Sequence, residues 1–193
     1  MANADRPNGF RPVKTMSGAC MSSMIRTVGV ADGADIFIGD AINIETGLAA
    51  PGATGDENFA GVAVGFGKFD ASGQVPAGPY NPDNLTTRYY DDSASTHTEW
   101  VCYYVPVNDV IFEAQTAADL DLVVGGVCDY AAGTGNTTTG ISGAEIATSS
   151  NNDLIVVELP NIVGNDPTLT NARVYVKFLT NYDRTAARAN YDV

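Results

Sequence analysis

Ile36 and Ile38, then Ile42 and Ile44, recur at a spacing of two on either side of Gly39-Asp40. Side chains on a strand alternate between faces, so this pattern predicts two short strands or one bulged strand within residues 35–45. Val62, Val64 and Phe66 repeat the spacing within 59–67, where the glycines on the opposite face leave room for close backbone approach. Residues 99–105 and 109–115 are dense in aromatic and β-branched side chains and are the strongest strands, with 106–109 as a tight reversal between them. Residues 117–122 read as one helical turn leading into a strand over 123–130. Residues 141–146, 154–159 and 172–179 complete the set; in the last, Val174, Val176 and Phe178 face one way and Arg173, Tyr175 and Lys177 the other.

Between these segments, 46–58, 67–97 and 131–140 are loops rich in Gly, Pro, Asn, Ser and Thr. The second is long enough for a contact surface, with Tyr80, Tyr89 and Tyr90 as its anchors. Residues 15–31 carry Met16, Met21 and Met24 on a small-residue background without a clear period, which suits gap-filling in a core or subunit contact. Short strands, Gly-rich turns and no amphipathic helix of useful length predict an all-β fold, a sandwich or barrel of short strands with long Gly/Pro-rich loops. A chain of 193 residues fits one domain plus appendages. The expected division is an extended N-terminal arm and connecting segment over 1–26, followed by a single β domain over 27–193.

Charge sharpens that division. Arg6, Arg11, Lys14 and Arg26 are four of ten basic residues, and only Asp5 offsets them within 1–26, whereas the whole chain carries a formal net charge of −13. Pro7 and Pro12 favour extended backbone at the residues before them, and Asn8-Gly9 favours a turn. With so few apolar residues, the arm is expected to gain its order by lying on another surface. The acidic remainder argues against direct contact with nucleic acid, which needs clustered Lys and Arg.

The chain is poor in the parts that enzymes require. His97 is the single histidine and lies in a polar run, and there is no nucleophile elbow, phosphate-binding loop, dinucleotide fingerprint or His-Glu-x-x-His pair. Cys20, Cys102 and Cys128 lack metal or redox spacing, so reduced, mostly buried thiols are expected in place of a disulfide framework. Asp119-Leu-Asp121, Asp91-Asp92 and Asp56-Glu57 are the densest carboxylate pairs, and none has the alternation of a calcium loop. The expectation is a protein without catalytic activity, metal or cofactor. No run approaches the ~20 apolar residues of a membrane span and the polar start lacks a signal-peptide core, which predicts no membrane association and synthesis in a cytoplasm.

The opening Asn3-Ala-Asp-Arg-Pro-Asn-Gly-Phe-Arg-Pro-Val-Lys14 resembles the start of many tailed-bacteriophage structural proteins. Gly39-Asp-Ala, Gly61-Val-Ala-Val-Gly-Phe66, Val107-Asn-Asp-Val-Ile-Phe-Glu-Ala-Gln115, Thr139-Gly-Ile-Ser-Gly143 and Asn171-Ala-Arg-Val-Tyr-Val176 then follow in an order similar to the capsid decoration, or cement, proteins of podovirus-like phages. The resemblance implies a homotrimeric structural virion protein on the outer capsid surface, made in the host cytoplasm, that clamps neighbouring major capsid proteins. On that reading the arm residues Arg6, Pro7, Phe10, Arg11 and Lys14 contact the capsid, with Phe10 as apolar anchor and the cations facing acidic capsid groups. The alternative is a head- or tail-fibre type receptor- or carbohydrate-binding protein, with an aromatic platform at Tyr80, Tyr89, Tyr90 and Trp100. A carboxylate-based hydrolase is a third, weaker reading.

Overall fold

The computed structural model describes residues 3–56, 58–69, 88–93, 96–148 and 151–179. The chain is all-β. In chain order the strands are β1 (Arg11–Thr15), β2 (Arg26–Val30), β3 (Ile36–Phe37), β4 (Ala41–Glu45), β5 (Leu48–Pro51), β6 (Gly61–Lys68), β7 (Tyr89–Tyr90), β8 (Trp100–Pro106), β9 (Val110–Gln115), β10 (Val127–Ala131), β11 (Glu145–Ala147), β12 (Leu154–Glu158) and β13 (Arg173–Phe178). A four-residue helix, α1 (Met21–Met24), separates β1 from β2.

Two sheets dominate. One is a closed barrel in the order β2-β5-β4-β6-β8, and the other is six-stranded in the order β1-β9-β13-β12-β10-β11. The far edge of the second curls back: Thr116, just past β9, bridges Ile146 of β11, and Ala117 donates its N–H to the Ile146 carbonyl at 2.9 Å. β3 and β7 form a separate two-stranded ribbon.

Residues 106–109 differ from the hairpin expected there. β8 belongs to the barrel and β9 to the six-stranded sheet, so the segment carries the chain from one to the other. Residues 46–58 also depart from a plain loop. Thr46 and Gly47 both adopt positive φ, 50° and 87°, and form a two-residue turn that pairs Glu45 with Leu48, making β5 the partner of β4. Residues 117–122 form no helical turn.

The larger core lies where the six-stranded sheet meets the barrel. Val110, Phe112, Leu154, Val156, Val174, Val176 and Phe178 from the sheet are buried with Ala41, Val62, Val105 and Val107 from or beside barrel strands. Aromatic rings tie it together: Phe59 lies 5.0 Å from Tyr130 and 5.3 Å from Phe178, and Phe112 lies 5.5 Å from Phe178. A second cluster fills the barrel with Val30, Ile42, Ala49, Ala63, Phe66 and Cys102, joined by Tyr90 and Trp100. Cys102 and Cys128 are buried free thiols, and burial pushes Cys128 up to about 12; Cys20 is free and exposed.

The N-terminal segment corrects the picture of a separate arm. Phe10 is only 1% exposed, with its ring 5.4 Å from both Tyr130 and Phe178. β1 pairs antiparallel with β9, and Asn3 is held by Asp166 and Thr170: its amide donates to their carbonyls at 2.8 and 2.9 Å. One buried ring, a strand's backbone hydrogen bonds and these amide contacts order a segment that has few apolar residues. Residues 3–26 are therefore part of the β body.

Candidate functional site

Two features meet at the N-terminal segment: a buried junction that fixes it and a charged surface that it helps to build. At the junction, the Phe10 N–H donates to the Gly39 carbonyl at 2.8 Å, and Gly39 N–H donates to Ala63. A Cβ on Gly9 would stand 2.6 Å from the Gly39 oxygen, and Gly9 itself has φ +63°, so only glycine fits this crossing. Ser142 N–H reaches the Ile38 carbonyl at 2.8 Å. Beside them Asp40, 7% exposed, accepts hydrogen bonds from the Phe37 N–H at 2.7 Å and from the Ser142 hydroxyl. Burial pushes the Asp40 carboxyl up to about 6, with the two hydrogen bonds opposing the rise.

The surface is the solvent side of the six-stranded sheet. Alternation on β13 buries Val174, Val176 and Phe178 and leaves Arg173, Tyr175 and Lys177 half-buried on the outer side. Register places Arg11 of β1 opposite Glu113 of β9, which in turn lies opposite Tyr175. Lys14 pairs with Glu158 at 3.0 Å, and its ammonium lies 5.8 Å from the Tyr175 ring centre. Arg6, Arg11, Lys14, Arg173 and Lys177, half of the ten cations of an acidic chain, lie on or beside this side of the sheet.

β1 is an outer strand, but its edge is poorly suited to accept another strand. Pro12 has no N–H, the register shifts between Pro12 and Lys14, and Arg11 and Lys14 are charged. Such devices are how proteins blunt sheet edges. What this side offers is therefore its side chains, not a free strand edge.

A small recess opens on this surface, lined by Arg6, Arg11, Arg173, Glu113 and Gln115 together with Asn8, Gly9 and Ala114. Gln115 is 4% exposed and organises its floor. Its Oε1 accepts the Arg6 N–H at 3.0 Å, and its Nε2 lies 3.2 Å from acceptors on Asp5, Glu145 and Asn171. Arg173 approaches Glu113 at 3.8 Å, and among the described residues neither Arg6 nor Arg11 has a carboxylate within ion-pair distance.

Of the five residues expected to contact a partner, Arg6 and Arg11 are brought together, Pro7 is exposed between them and Lys14 lies further along β1. Phe10 is the correction: a side chain packed inside this protein's core is not available as an anchor on another. Arg173, Glu113 and Gln115 were not singled out from the sequence, although the period of β13 already turned Arg173 outward.

Among the described residues, the expected aromatic platform is not presented as one exposed surface. Tyr90 and Trp100 are buried, their rings 5.6 Å apart, and Tyr89 stacks on Phe37 at 4.9 Å. Tyr80 and most of the 67–97 loop lie outside the described residues. His97 is partly exposed, with Nδ1 3.6 Å from Asp32. Asp56 serves a turn, accepting from the Ala53 N–H at 2.6 Å and the Asn43 amide at 2.7 Å. Among the described residues no group of three or more His, Cys, Asp or Glu side chains is placed to hold a metal ion, and no helix is long and apolar enough to cross a membrane.

Compared with known proteins, the chain matches no family model, no curated protein and no solved structure.

Proposed function

We propose that this chain is a structural virion protein that binds the outer surface of a tailed-phage head and clamps neighbouring major capsid proteins, without chemistry of its own. The observation that carries the reading is the convergence of the segments that resemble decoration proteins. Asn8–Phe10, Gly39-Asp40, Gly61–Phe66 and Ser142 are far apart in sequence, yet they form one hydrogen-bonded junction. The remaining two segments supply the adjacent strands β9 and β13. The resemblance thus falls on residues that set an architecture, as expected where a family shares a scaffold and has no catalytic signature.

The surface supports the same reading. The acidic body favours a partner other than nucleic acid, and the outer side of the six-stranded sheet, where Lys14 pairs with Glu158 and Arg173 approaches Glu113, offers charged groups of both signs to a protein partner. Val123, Val124 and Val163 are exposed apolar side chains, and in the proposed homotrimer the subunit seam covers them. A protein that engages only the finished lattice stabilises it by mass action, and many copies multiply a modest gain per site. Heads made without this chain are expected to assemble but to release DNA at a lower temperature than complete heads. Equal release temperatures, measured by dye access to DNA during heating, would remove the clamping role.

A further inference from the structure

The side-chain amide of Gln115 faces more acceptors than it has hydrogens. Gln115 is 4% exposed, and its Oε1 accepts the Arg6 N–H at 3.0 Å, which fixes Nε2 as the donating end. Three oxygens lie 3.2 Å from that nitrogen: a carboxylate oxygen of Asp5 on the N-terminal segment, one of Glu145 on β11, and the side-chain amide oxygen of Asn171 just before β13. An amide nitrogen carries two hydrogens, so one of the three oxygens is left without one. Two of them belong to carboxylates, held no further apart than twice that distance, and like charges at such a range oppose each other. The other charged groups on this side are Arg6, Arg11, Glu113 and Arg173, of which Arg173 approaches Glu113 at 3.8 Å. Among the described residues no cation stands within ion-pair distance of Asp5 or Glu145.

We propose that Asp5, Glu145 and Gln115 form a proton-operated clasp on residues 3–8, tight when one of the two carboxyls carries a proton and looser when both are ionised. The proton supplies the third hydrogen and removes one of two facing charges, so donors and acceptors balance. Glu145 is the group that takes it: burial, and then the Asp5 charge, raise its carboxyl above the ordinary glutamate value of 4.5, with the Gln115 hydrogen bond opposing the rise. A raised carboxyl strengthens the native contact fully below the ordinary value, and the gain fades as pH rises through the raised one. The effect is local. Residues 3–8 precede the buried Phe10 and are fastened by Asn3 on Asp166 and Thr170 and by the Arg6 N–H on Gln115. A segment with so few buried contacts opens at lower free energy than the core.

The test is amide hydrogen exchange of the full, isotope-labelled chain between pH 4 and pH 7.5, with each rate divided by the intrinsic rate at its pH. The Arg6 amide, whose acceptor belongs to the clasp, is expected to lose at least about threefold of its protection as pH rises. Glu145→Gln removes the titrating group and brings hydrogens of its own, so in that variant the Arg6 amide is expected to keep its low-pH protection across the range. Asp40→Asn, at the separate buried junction, is expected to leave the loss in place. In the unaltered chain the Glu145 carboxyl carbon, followed by nuclear magnetic resonance, is expected to titrate above 4.5 and to move down in Asp5→Asn. Arg6 protection that does not change with pH overturns the proposal, and so does a loss that survives in Glu145→Gln or vanishes in Asp40→Asn. A Glu145 midpoint at or below 4.5 does the same. Restoration of the lost protection by calcium chloride at pH 7.5 would assign the three oxygens to a cation and overturn it as well.

Discussion

Phe10→Ala is expected to destabilise the folded chain by about 3–5 kcal/mol, the usual cost of removing a buried phenylalanine ring. The ring bridges the N-terminal segment to Tyr130 and Phe178, so its loss opens a cavity where the six-stranded sheet meets the barrel. Against a typical domain stability of about 5–15 kcal/mol, that is a large fraction. Urea unfolding followed by the fluorescence of Trp100, the single tryptophan and a buried one, gives the number. Arg6→Gln, in the same segment but exposed, is expected to change stability by no more than about 0.5 kcal/mol. If Phe10→Ala left the urea midpoint unchanged, the segment would be an external arm after all.

The second large effect concerns Asp40. Its folded carboxyl is raised to about 6 by burial, above the ordinary aspartate value of 3.8. The native state therefore holds a proton that the unfolded chain has released between these two values. Stability falls as pH rises through this window: the contribution is fully present below about 4 and gone above about 6, a total of roughly 3 kcal/mol. Asp40→Asn removes the cost of charging this site while leaving an acceptor for the Phe37 N–H. The variant is expected to be more stable than the parent at pH 7.5, and the difference between the two should shrink as pH falls to 4. Using the difference cancels titration of the surface carboxylates, among which Asp92 and Asp166 are held below the usual range by hydrogen bonds from neighbouring backbone and hydroxyl groups. A variant destabilised equally at pH 4 and pH 7.5 would contradict this assignment.

The all-β class and most strand positions were legible because a two-residue period survives in segments such as β13, where one side is core and the other solvent. Sheet membership was not. Residues 106–109 have the composition of a reversal, and nothing local tells a hairpin from a passage between sheets. β5 was hidden because Leu48-Ala-Ala-Pro51 has weak strand propensity; the Thr46-Gly47 turn and pairing with β4 make it a strand. The charged site was half visible. Arg6 and Arg11 stood out by charge, but bringing Arg173 beside them requires the order β1-β9-β13, which arises from long-range pairing. Phe10 was misread for a related reason: a lone apolar residue between prolines and arginines has no periodicity, and its aromatic partners lie far along the chain.

These results change how a head-binding role would operate. The N-terminal segment does not swing out to grip a neighbour through Phe10; its buried ring and paired strand hold Arg6 and Arg11 on a rigid surface. A preorganised surface loses less entropy on binding than a flexible arm. The measurement that bears most directly on the proposed role is the copy number of this chain in purified phage particles, obtained by quantitative mass spectrometry against the major capsid protein. A decoration protein is expected at hundreds of copies per particle, in fixed ratio to the capsid protein; tens of copies, or none, would contradict the account.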